Sequence, residues 1–126
     1  IKTKQALAAA SSLIASAEKV NGISLLAHYM GDNLNGDDLR SIALDLRSRV
    51  KGSVIALASR GSEKVVLVVA VDDDARARGV KAGTLVKLAS TILGGGGGGK
   101  DDFAQGGGIN SAKISEAMNA IKNALS

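Results

Sequence analysis

Apolar residues recur along this chain with two different periods, and the switches between them mark out its elements. Ala6, Ala10, Leu13, Ala17 and Val20 follow one another at spacings of four, three, four and three, with Leu7 and Ile14 beside them. Such a seam predicts a helix over residues 1 to 20. Its small residues suit close packing against another helix, whether in this domain, in a preceding part of the chain or in a second copy. After a turn at Asn21-Gly22, the run from Ile23 to Met30 reads as a buried strand. Leu39, Ile42, Ala43, Leu46 and Val50 then return to helical spacing, with Asp37 or Asp38 as the candidate N-cap and Gly52 as the stop.

Residues 53–59 and 64–71 are dense in Val, Ile, Leu and Ala and are joined by Arg60-Gly61-Ser62-Glu63, which predicts a hairpin. Val65 to Val71 is apolar throughout, the mark of a central strand that needs helices on both faces. Two further helices follow from the pattern. One runs from Ala82 to Leu93 with Leu85, Leu88, Ala89 and Ile92 inward. The other, capped by Asn110 or Ser111, packs down through Ile114, Ala117, Met118, Ile121 and Leu125. The predicted fold class is α/β: a small mixed β-sheet covered by helices, with an N-terminal helical arm and a glycine-rich loop before the last helix. The Ile23 strand, the helix over 37–51 and the Val54 strand form a crossover, and the Val65 strand pairs antiparallel with the last of these. Residues 1–20 read as the arm, the end of a longer helical subdomain, and 21–126 as the globular domain.

Composition then removes whole classes of chemistry. The 126 residues include no Cys and no Pro, and His28 is the single histidine. Disulfides, thiolate metal sites and two-histidine metal clusters are excluded. Tyr29 and Phe103 are the only aromatics, too few for a sheet that stacks single-stranded bases. The formal charge of +4 permits contact with polyanions without requiring it. No apolar run is long enough to cross a membrane and no signal segment is present, so the chain reads as soluble and cytoplasmic. It opens on Ile1, which reads as a cut from a longer protein.

Candidate chemistry is concentrated in charges and glycines. Arg40, Arg47 and Lys51, seven and four residues apart, share one stripe of their helix; a solvated face and a binding face both fit. Asp72, Asp73 and Asp74 fit either a hydrated cation or the cap of the next turn, with Arg76 and Arg78 close by to neutralise them. Residues 94–99 are six consecutive glycines, followed by Lys100-Asp101-Asp102-Phe103-Ala104-Gln105 and three more glycines. A glycine run lets backbone N–H groups converge on an anion. The Walker pattern nevertheless fails at Asp101, where a Ser or Thr is needed, and no strand feeds the loop, so neither an NTPase nor a dinucleotide site is indicated. A flexible linker is the other reading. Against it, the helix that follows cannot form a core alone, and Phe103 sits inside the segment. The folded alternative predicts several glycines at positive φ, Gln105 held by hydrogen bonds and Phe103 covering the core.

The string GGGGGGKDDFAQGGG resembles the glycine-rich signature of the C-terminal, DHH-associated domain of alanyl-tRNA synthetases. Gly97, Gly98 and Gly99 match its glycine run, Asp102 its aspartate, Phe103 its apolar position, Ala104-Gln105 its Ala-Gln pair, and Gly106, Gly107 and Gly108 its closing glycines. Lys100 and Asp101 depart from the family's Arg-Pro. The likeness extends over essentially the whole chain, through Asn21-Gly22-Ile23, Asp38-Leu39-Arg40, Val65 to Val71 and Ala82-Gly83.

The resemblance implies an accessory, non-catalytic domain that holds the outer corner of tRNA(Ala) for the upstream aminoacylation and editing domains of the same chain. No cofactor and no metal are implied. The candidate tRNA-binding residues are Arg40, Arg47, Lys51, Arg76, Lys81, Lys87, Lys100 and Gln105, with Arg78 beside them, and Gly97, Gly98, Gly99, Gly106 and Gly107. Two other roles fit the same residues: the substrate-holding domain of a DHH-type phosphoesterase acting on short nucleotides, and a dimerisation module working through residues 1–20.

Overall fold

Val65–Val71 lies in the middle of the molecule with helices on both sides, as its unbroken apolar sequence requires. The structure, a computed structural model, describes residues 17–32, 34–61 and 64–125. In chain order the elements are β1 (Glu18–Val20), β2 (Ile23–Asp32), α1 (Gly36–Arg49), β3 (Ser53–Arg60), β4 (Val65–Val71), α2 (Asp73–Ala77), α3 (Ala82–Ile92), β5 (Gly96–Gly99), β6 (Phe103–Gly108) and α4 (Ile114–Leu125). They build a six-stranded mixed sheet in the order β1-β2-β3-β4-β6-β5. Only the β2–β3 pair is parallel, joined through α1, and the other neighbours run antiparallel.

Side chains alternate between the two faces of each strand, so the sheet separates two cores. Ile55, Leu57, Val68 and Ala70 meet Leu39, Ile42, Ala43 and Leu46 of α1. Val54, Ala56, Leu67 and Val69 meet Leu85, Val86 and Ala89 of α3 and Ile121 and Leu125 of α4. Each Leu or Ile buried in this way contributes about 1.5–3 kcal/mol.

Local chemistry sets the helix ends, with some shifts from the sequence expectation. α1 is capped by Asn35, two and three residues before the candidate caps Asp37 and Asp38. Its side chain accepts from Asp38 N at 2.8 Å, and Asp38 Oδ2 accepts from Asn35 N at 3.2 Å, which closes a capping box. α3 also turns Val86 inward and leaves Leu88, predicted inward, 41% exposed. The helix predicted over residues 1–20 lies outside the described residues up to 16, and so do the seam positions Ala6, Ala10 and Leu13 of the expected dimerisation module. Its last three positions are not helical: Glu18–Val20 pairs with β2, because Val20 is drawn into the α3/α4-side core and Lys122 Nζ reaches Glu18 Oε1 at 3.0 Å.

The glycine-rich segment, which composition reads as a loop, is a β-hairpin. β6 pairs with β4 in the register Ala70↔Phe103 to Val65↔Gly108, and β5 pairs with β6 as the edge strand. Glycine strands are entropically costly, so packing must hold them. α3 does this by lying so close that a Cβ on Gly106 would come 2.7 Å from Val86 Cγ1, and one on Gly97 would come 2.9 Å from the same atom.

Candidate nucleic-acid interface

The tip of the hairpin, Lys100–Asp102, is fixed from three directions. α3 begins at Lys81 with no side-chain cap, and its first amides find backbone partners instead. Ala82 N donates to Asp101 O at 2.9 Å and Gly83 N to Lys100 O at 3.1 Å. From the sheet, Val71 N donates to Asp102 O at 2.8 Å. From α1, Arg47 Nη1 donates to the same carbonyl at 3.0 Å and stands 4.0 Å from Asp102 Oδ2. Two turns earlier on α1, the Arg40 guanidinium carbon lies 5.3 Å from the centre of the Phe103 ring, a cation–π contact. The base of the hairpin is pinned by Ser90 of α3, whose carbonyl accepts from Gly95 N at 2.9 Å and whose hydroxyl accepts from Gly107 N at 3.1 Å.

Two recesses flank this hairpin and meet at Gln105. The first, of about 460 Å³, is a groove between α1 and the hairpin, lined by Arg40, Arg47, Lys100, Asp102, Phe103 and the backbone of Gly98 and Gly99. It carries three cations against one carboxylate. The second, of about 420 Å³, is lined by Lys64, Val66, Gly96, Gly107 and Ile109. Ile109 is 74% exposed. Between them the Gln105 side chain lies over Gly36, where a Cβ would come 2.9 Å from Gln105 Cδ.

The glycines divide into two sets by what a side chain would meet. At Gly97, Gly99, Gly106 and Gly107 a Cβ would run into the neighbouring strand or α3: Ala104 Cβ at 2.9 Å from Gly99, Ser90 Oγ at 2.5 Å from Gly106, the Val65 carbonyl at Gly107. At Gly96 and Gly98 it would meet nothing within 4 Å, and neither has a positive φ. The fold itself requires glycine in the first set and not in the second. Positive φ within the segment is confined to Gly94 (81°) and Gly107 (158°), so close approach, more than left-handed backbone, accounts for its glycines.

The predicted site residues are thereby sorted. Arg40, Arg47, Lys100, Gln105, Gly98 and Gly99 come together on the groove. Gly97, Gly106 and Gly107 are packing positions. Lys51 leaves the arginine stripe because α1 ends at Arg49, and its Nζ lies 3.7 Å from Asp74 Oδ2. Arg76 pairs with Asp73. Lys87 is exposed on α3, and Lys81 lines a separate cavity with Arg78. Among the described residues no three His, Asp or Glu side chains gather as a metal site, and Asp72 caps α2 while its Oδ2 accepts from Gly52 N at 2.7 Å. Gln105, predicted to be held by hydrogen bonds, sits in the strand pairing of β6 between β4 and β5, and its side chain packs over Gly36. Lys64, Ser90, Gly96 and Ile109 were not singled out by the sequence. A buried serine four residues after Val86 on the inward stripe of α3 was the available signal for Ser90.

Fold and site together define a three-layer α/β domain whose edge strand, β5, carries no side chains. Residues 22–126 match the DHHA1 domain family. The chain is 45% identical over 127 aligned residues to an alanine–tRNA ligase of Paenarthrobacter aurescens strain TC1, a match that covers 99% of this chain and 14% of the ligase. The crystal structure of the C-Ala domain from Aquifex aeolicus alanyl-tRNA synthetase superposes with a TM-score of 0.80 at 35% identity, covering 88% of this chain and 98% of that one. A pGpG-specific phosphodiesterase from Vibrio cholerae shares the fold alone, with a TM-score of 0.55 at 14% identity over 98% of this chain and 40% of that one. The chain belongs to the DHHA1 domain family, in the branch formed by the C-Ala domains of alanyl-tRNA synthetases. It spans about 14% of the length of the ligases it matches. Among the described residues no helix is long and apolar enough to cross a membrane.

Proposed function

We propose that this chain is the accessory tRNA-binding domain of an alanyl-tRNA synthetase. The flat outer corner of folded tRNA sits on the face of β5 bearing Gly96 and Gly98. The observation that carries this reading is the openness of those two positions: glycine there relieves no clash and no backbone strain. Its remaining use is to present a surface that a planar partner can approach to backbone distance. Exposed Ile109 extends that surface at one end, and Arg40, Arg47 and Lys100 line the other, where phosphates of the same RNA are attracted. Arg40 and Arg47 are already immobilised on Phe103 and Asp102, so little side-chain entropy is lost on binding.

Such a site reads shape and phosphates, so it binds tRNA(Ala) and other tRNAs alike, in the cytoplasm, and leaves identity and chemistry to the upstream domains. Titration of tRNA(Ala), an unrelated tRNA and a duplex RNA into the chain at several salt concentrations tests it. Both tRNAs should bind at low salt, with affinity falling steeply as salt rises, and the duplex should bind more weakly. Equal binding of all three RNAs, or none by either tRNA, contradicts the reading.

A further inference from the structure

Arg78 and Lys81 border a cavity of about 400 Å³ that the β5 shelf does not include. Its floor is aliphatic, from Ile23, Leu85 and Leu125, Thr84 lies on its lining, and none of its described lining residues is acidic. That is unusual at this end of the sheet, where Arg47 stands beside Asp102, Lys51 beside Asp74 and Arg76 beside Asp73. Lys81 has no ion-pair partner among the described residues. Among the described residues, the Arg78 side chain donates to a neutral group, from Nη1 to Asn21 O at 3.2 Å.

The arginine is also held in advance. Asn21, at a φ of 53°, presents that carbonyl, and Gly22, at 83°, lies under the guanidinium, where a Cβ would come 2.5 Å from Nη1. Two cations with no acidic partner among the described residues, beside Thr84 and above an aliphatic floor, are complementary to an anion with a flat apolar body. We propose that this cavity is a second anion site, which takes the phosphate of a nucleotide. Arg78 and Lys81 contact the phosphate oxygens, and the base lies against the floor. The nucleotide comes either from the RNA strand that leaves the shelf or from solution. The first source rests on the function proposed above, and the cavity adjoins the hairpin: Lys81 precedes Ala82 and Gly83, whose amides donate to the carbonyls of Asp101 and Lys100 at its tip.

Two arms on one pair of proteins test this. In the first, AMP is titrated into the isotope-labelled chain and into its Arg78→Gln/Lys81→Gln variant, with amide spectra checking that both fold. Saturable shifts at Gly79 to Leu85 are expected in the parent, weakened about tenfold or more in the variant and unaffected by Gly98→Val. In the second, tRNA(Ala) affinity is measured against salt, and the variant should lower the slope of log K on log salt by about one to two. An AMP response without a tRNA effect assigns the site to free nucleotide, even if the parent binds no tRNA at all. A tRNA effect without an AMP response assigns it to the RNA strand. If AMP shifts no cavity residue and the variant matches the parent in affinity and slope, the proposal is overturned.

Discussion

The Arg40 guanidinium lies over the ring of Phe103, 5.3 Å from its centre, and so ties the first turns of α1 to the tip of the glycine hairpin. Phe103 is half-buried against the α1-side core. Phe103→Ala should therefore cost about 2 kcal/mol, below the ~3–5 kcal/mol of a fully buried Phe, and Arg40→Ala about 0.5–1 kcal/mol. Urea unfolding of both single variants and the double variant measures the pair. A coupling of about 0.5–1 kcal/mol is expected, and strict additivity would show that the contact contributes nothing.

The alternation along β5 predicts opposite responses from adjacent glycines. Gly97→Ala places a methyl against Gly106 Cα and 2.9 Å from Val86 Cγ1, so it should destabilise by about 1–3 kcal/mol. Gly96→Ala meets open space and should change stability by less than about 1 kcal/mol, with a small gain from the restricted unfolded chain. Thermal melts of the two variants check this, and equal losses at both positions would contradict the alternation.

How far the sequence discloses this architecture depends on how each element announces itself. α1 and β4 are legible because their burial is written in side chains, at helical spacing through Leu39, Ile42 and Leu46 and as an unbroken run from Val65 to Val71. β5 leaves no such trace. Gly96 to Gly99 carry neither alternation nor β-branched residues, so the composition of a loop conceals a strand. The common face of Arg40 and Arg47 follows from their spacing of seven, whereas the loss of Lys51 to Asp74 depends on α1 ending two residues earlier. The difference between Gly96 and Gly97 exists only once α3 has packed against one side of the hairpin.

Acid should weaken the fold through His28. Burial on β2 lowers its pKa below the ordinary 6.5, so on acidification the unfolded chain binds the proton first. Its contribution is full above about pH 6.5 and is lost as the pH falls through the folded-state value. Urea midpoints at pH 7.5 and 5.5, for the parent and for His28→Asn, measure it. The parent should lose more stability than the variant across that window, and an identical loss in both would remove His28 as the cause.

Gly98→Val tests the central claim most directly, because it adds a side chain where the fold has room and the RNA does not. With nothing within 4 Å of the new Cβ, the variant should melt close to the parent. Its affinity for tRNA(Ala) at low salt, measured beside the parent, should fall by about tenfold or more, since Val would hold the RNA off the shelf. A folded Gly98→Val variant that binds tRNA(Ala) as tightly as the parent would contradict the account and move the binding face away from β5.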